Sequence, residues 1–78
     1  MNKKADEPKE YLKNCLRDSG MTQLQLAKDL EIKQPTLAAW LSGKRPIPPR
    51  QAIRMRRLYG WDDEALCPDL IEYRRVDD

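Results

Sequence analysis

Basic side chains crowd the middle of this 78-residue chain. Between residues 23 and 57, Lys28, Lys33, Lys44, Arg45, Arg50, Arg54, Arg56 and Arg57 are offset only by Asp29 and Glu31, a local charge of +6. Residues 1–22 carry +1 and residues 62–78 carry −5. A basic window of this kind binds a polyanion by replacing its counterions; the acidic end does not. Catalytic chemistry has little to work with. The chain has no histidine, no Gly-rich phosphate loop, and no paired carboxylates on one predicted face. Asp69 and Glu72 read as solvated acids. Cys15 and Cys67 stand far apart with no CxxC pattern, too few for a zinc site. We therefore expect no enzyme, no metal and no cofactor. The cysteines read as reduced core residues, which fits a cytoplasmic setting.

The elements that must position these cations are helices. Residues 1–7 show no apolar periodicity, and a disordered N-terminus is expected there. No apolar stretch follows the first lysines, so no signal peptide is expected, and no run is long enough to span a membrane. Pro8 suits a first helical turn. Tyr11, Leu12, Cys15 and Leu16 follow at helical spacing, predicting a helix over 8–18 that ends at Gly20. Thr22 and Gln25 form a capping-box pair for a second helix, and Met21 with Leu26 makes a hydrophobic staple. Leu26, Ala27 and Leu30 face inward, with Leu24 near them.

A short turn, Glu31-Ile32-Lys33, precedes a third helix, with Ile32 plugging the core. Pro35 places Gln34 at the cap and itself at the first helical position. Leu37, Trp40 and Leu41 form the buried stripe. Pro35, Ala38, Ala39 and Ser42 lie opposite, and Gly43 closes the helix. A fourth helix runs from Pro49 to Tyr59, with Ala52, Ile53, Leu58, Met55 and Tyr59 toward the core. Arg50, Arg54 and Arg57 share one stripe; Arg56 is left to solvent. Asp62 caps a fifth, short helix that Cys67-Pro68 stops. Leu70, Ile71 and Tyr73 either fold back on the core or pack against a second subunit. The organisation is an all-α, five-helix domain over 8–67 and an acidic tail over 68–78.

Two helices meeting at a tight turn, a small residue at their crossing and a small outward face on the second describe a DNA-binding helix-turn-helix over residues 22–43. Small outward residues let the helix backbone approach base edges in the major groove. The run Gln23-x3-Ala27-x2-Leu30-x-Ile32-x-Gln34-Pro35-Thr36-Leu37-x2-Trp40-x2-Gly43-Lys44-Arg45-Pro46 resembles the Cro/CI family of phage repressors. The continuation through RPIPP, RxxRLYGW and LCPDL resembles its YdaS-type branch, whose members are described as antitoxins. The likeness covers about residues 10–70. It implies a lambda-repressor-like fold and a double-stranded DNA operator as partner, bound as a homodimer or a weak pair. A protein toxin is the partner implied by the antitoxin branch. The setting would be a bacterial or phage-infected cell.

The resemblance also implies roles. Base reading falls to the start and exposed face of the recognition helix, here Lys33, Gln34, Pro35, Thr36, Ala38 and Ala39. A glutamine amide matches adenine N6 and N7, so Gln34 leads. Lys33 suits guanine or a phosphate, and the alanines suit thymine methyls. Phosphate contacts fall to Thr22, Gln23, Lys44, Arg45 and Arg50, helped by the amides opening the fourth helix. Two positions depart from the family. Glu31 stands where the family has a left-handed glycine, so the turn either carries strain of about 1–2 kcal/mol or differs. Lys33-Gln34 replaces the usual Ser or Thr cap.

Overall fold

The computed structural model describes residues 7–72. The expectations for residues 1–6, and for Tyr73 and the remaining tail, lie outside the described residues. The described chain forms α1 (Pro8–Ser19), α2 (Gln23–Leu30), α3 (Gln34–Ser42), α4 (Pro49–Tyr59) and α5 (Asp63–Leu66), with no strand among the described residues. No helix there is long and apolar enough to cross a membrane. The fold is the small all-helical, lambda-repressor-like arrangement expected.

The predicted start signals are present, the capping box at Thr22 through one of its two bonds. Pro8 opens α1, and Thr22 Oγ1 accepts the Gln25 amide at 3.1 Å. Met21 is half-buried over a fully buried Leu26. Ala27 is 3% exposed, as a small residue at a helix crossing must be. Leu24, however, is 53% exposed. It lies two residues before Leu26, about 200° around the helix, and so points away from the core.

The turn keeps the tight geometry despite lacking glycine. Glu31 is left-handed, at φ 58° and ψ 42°. Its amide donates to the Lys28 carbonyl at 3.1 Å, and the Ile32 amide donates to the Ala27 carbonyl at 3.0 Å. These two bonds are a Schellman closure, which satisfies carbonyls that the helix end would leave open. Glu31 also lies 3.9 Å from Arg54, but both side chains are exposed and the pair contributes little. Glu31→Gly is therefore expected to stabilise the fold by about 1 kcal/mol, raising the thermal midpoint by about 4–8 °C. A thermal scan showing an unchanged or lower midpoint would contradict the strain.

α3 starts one residue earlier than its sequence suggests. Lys33 is the extended cap residue, and its carbonyl accepts the Thr36 amide at 3.0 Å and the Leu37 amide at 3.3 Å. Gln34 thus belongs to the first turn. Pro35 fits its second position because the opening amides of a helix have no partner within it. Leu37, Trp40 and Leu41 are buried as the stripe requires.

α4 corrects one assignment, Leu58. Its core stripe is Ala52 and Met55, with Tyr59 half-buried beside them. Leu58 is 51% exposed, because it sits about 100° around the helix from Tyr59. Arg56 is exposed as expected, and its Nη1 lies 3.5 Å from Oδ2 of Asp63, whose side chain is almost fully buried. The C-terminal end is tied to α1, since the Tyr11 hydroxyl accepts the Asp62 amide at 2.8 Å. It is tied to α2 through the Tyr59 hydroxyl, which donates to Asp29 at 2.7 Å while its ring lies 4.4 Å from that of Trp61. The chain keeps packing after Cys67. Leu70 is fully buried, whereas Ile71 is 50% exposed.

Candidate nucleic-acid interface

Helix phase decides which side of α3 is free. With Leu37, Trp40 and Leu41 turned inward, Gln34, Pro35 and Ala38 are exposed, and Thr36 and Ala39 are half-buried at the margin of the core. Lys33 is exposed at the cap. The free face is therefore narrow, small and nearly neutral. Its hydrogen-bonding groups are the Gln34 amide, the Thr36 hydroxyl and, at its far end, the Ser42 hydroxyl, which is engaged by local backbone.

Of the remaining cations, Arg45 borders this face, placed there by the backbone that follows α3. Gly43 takes φ 83°, and α3 closes there. The Ala39 carbonyl then accepts the Lys44 amide at 3.0 Å, the Arg45 amide at 3.3 Å and the Ser42 hydroxyl at 3.2 Å. The Lys44 amide also reaches Ser42 Oγ at 3.4 Å. These bonds fold the loop back against α3. Arg45 consequently lines a hollow of about 250 Å³ with Pro35, Thr36 and Ala39. Arg50 is separate from it, on the first turn of α4, in a groove shared with Ile53, Arg54, Arg57 and Leu58. Thr22 and Gln23 border a third hollow with Lys13, Arg17 and Leu41. All the predicted phosphate residues are exposed.

Lys9 has no place among the sequence-based site residues. It belongs to α1, yet it lies over the end of α3: a Cβ at Gly43 would stand 3.0 Å from Lys9 Cδ and 3.5 Å from Nζ. The carbonyl end of a helix carries partial negative charge, which accounts for an ammonium group there. No periodicity or capping signal pointed to this, because the contact joins the first turn of one helix to the last of another. Lys9→Ala is expected to cost about 0.3–1 kcal/mol at low ionic strength and almost nothing in molar salt, as read by chemical denaturation.

The cysteines hold no reactive position. Both are buried, and burial pushes the thiols of Cys15 and Cys67 up from their ordinary pKa, away from the thiolate.

The exposed side of α3 is thus small, with Lys33 at its start and Arg45 beside it. Residues 12–62 match the family model described as helix-turn-helix, which covers every element from within α1 to the cap of α5. The chain belongs to the Cro/CI-type helix-turn-helix family. It is thus a DNA-binding transcription regulator of a generally non-enzymatic family. No curated protein and no solved structure matches it. In this Cro/CI-type domain α2 and α3 are the two motif helices, and the left-handed Glu31 occupies the turn between them.

Proposed function

We propose that this chain is a sequence-specific repressor of phage or prophage Cro type, which silences promoters by covering them. The observation that supports this most is the outward face of α3, small and uncharged between flanking cations. A helix presenting that face can enter the major groove, which is about 12 Å wide, without steric or electrostatic conflict. Gln34 pairs with an adenine. Lys33 donates to guanine or a phosphate. Thr36, Pro35, Ala38 and Ala39 meet thymine methyls and allow close approach. Thr22, Gln23, Lys44 and Arg50 hold phosphates, which position the domain without specifying sequence. Two copies on one duplex would read half-sites about 10 base pairs apart.

Selection of bound sequences from random duplex DNA tests this, with affinity measured across salt. An enriched motif and a steep fall of affinity with salt are expected; no motif and a flat salt response would refute it. Within the enriched motif, Gln34→Ala should lose discrimination at one A·T pair, worth about 1–3 kcal/mol. Equal loss on every sequence would remove Gln34 from the base-reading set.

A second reading is supported by Ile71, an exposed apolar residue on the acidic C-terminal segment and outside the α3 surface. In it, residues 61–78 bind and neutralise a protein toxin, and the domain represses its own operon. Unchanged toxin neutralisation after Ile71→Asp would argue against this role.

A further inference from the structure

We infer that Arg45 is a base-reading residue, and that its target is a guanine in the half-site covered by α3. This rests on the proposed major-groove reading and adds a specificity determinant to it. The loop after α3 is where a phosphate contact was expected, and Lys44 suits that role. One observation sets Arg45 apart from Lys44, the hollow it lines; the others are shared and leave it free to reach a base. Its backbone is pinned to the recognition helix, because its amide and that of Lys44 both donate to the Ala39 carbonyl, at 3.3 and 3.0 Å. It shares a hollow with Pro35, Thr36 and Ala39, all assigned to base edges, and Lys44 does not line that hollow; Arg45 also borders the hollow between α3 and the start of α1, with Glu7, Lys9 and Trp40. Among the described residues, no ion pair engages Arg45. It is also exposed, so its guanidinium is available.

The chemistry of the hollow completes the argument. Proline and alanine side chains carry no hydrogen-bonding group, and threonine carries a single hydroxyl. A surface so poor in donors reads sequence weakly. A guanidinium at its edge supplies a planar fork of donors that matches the O6 and N7 acceptors of guanine, the commonest specific contact in the major groove. The small side chains of Pro35 and Ala39 are what let that fork reach base depth. Lysine at the same position would keep the charge and lose the fork.

The test uses the full chain and the duplex enriched by selection. Random-duplex selection is run with wild type, Arg45→Ala, Arg45→Lys and Lys44→Ala. Each preferred G·C pair is then replaced, one at a time, by a 7-deazaguanine pair, which lacks the N7 acceptor. Arg45→Ala is expected to lose preference at one G·C pair, with discrimination there falling by about 5- to 140-fold. At that pair, 7-deazaguanine should weaken wild type but leave Arg45→Ala unaffected. Arg45→Lys should retain the salt dependence while relaxing the same pair. Lys44→Ala should weaken all sequences about equally. The inference is overturned if Arg45→Ala selects the wild-type motif with a uniform loss of affinity and a salt slope shallower by about 1, the signature of a phosphate contact. If wild type enriches no motif, the major-groove reading fails and the inference falls with it. An enriched motif without an Arg45-dependent guanine overturns the inference alone.

Discussion

Trp40→Ala is expected to remove about 3–5 kcal/mol of folding stability, the range for deleting a buried tryptophan. Trp40 is 3% exposed, on the same stripe as the buried Leu37 and Leu41. It is the largest residue that α3 contributes to the core, and it also borders the contact between α3 and the start of α1 near Lys9 and Gly43. A domain of this size has a thin core and little stability to spare. The thermal midpoint should fall by at least about 12 °C. DNA binding should fall with the folded fraction, and recover on cooling. A stable Trp40→Ala domain with lost DNA binding would mean that the indole touches DNA and is not a core residue.

Ala38→Glu is expected to do the reverse: leave the fold intact and abolish recognition. Ala38 is exposed on α3, and glutamate is a good helix former, so the thermal midpoint should barely move. A carboxylate in the groove, however, meets phosphates and base acceptors, a like-charge juxtaposition worth several kcal/mol. Affinity for the selected duplex should drop at least about 100-fold, as read by fluorescence anisotropy. Binding within a few-fold of wild type would take the outward face of α3 out of the groove.

Legibility from sequence followed the reach of each physical signal. Local signals were clear. Thr22 with Gln25 marks the start of α2, and Pro49 and Gly60 mark the two ends of α4, each through residues at the end itself, and the structure places the ends there. The phase of α3 was clear because Leu37, Trp40 and Leu41 allow a single inward direction, and this fixed which candidate readers are exposed. Glu31 left two options open, since a left-handed glutamate and a different turn are both affordable at about 1–2 kcal/mol. Only the backbone bonds to Lys28 and Ala27 decide it.

Non-local placements were not legible. Ile47 lies between prolines, where no periodicity exists, and is nonetheless 2% exposed. Leu58 was assigned inward on hydrophobicity, and the phase of α4 set by Ala52 and Met55 leaves it outward. Arg56 with Asp63, and Lys9 over Gly43, join segments whose approach depends on how whole helices pack. Arg45 is the same case at the candidate site. Sequence put it with Lys44 as a loop cation, and the return of the loop to the Ala39 carbonyl puts it beside Thr36.

The central claim is that α3 enters the major groove with its outward face while the following loop and the start of α4 hold the backbone. Amide chemical-shift mapping of the full chain on addition of the selected duplex tests it most directly. The account predicts changes at the non-proline residues of 33–39 and 44–50, with smaller ones at Thr22 and Gln23, and none at Leu58, Ile71 or Glu72. Shifts concentrated on Arg57, Leu58 and residues 61–72, with α3 unmoved, would contradict it.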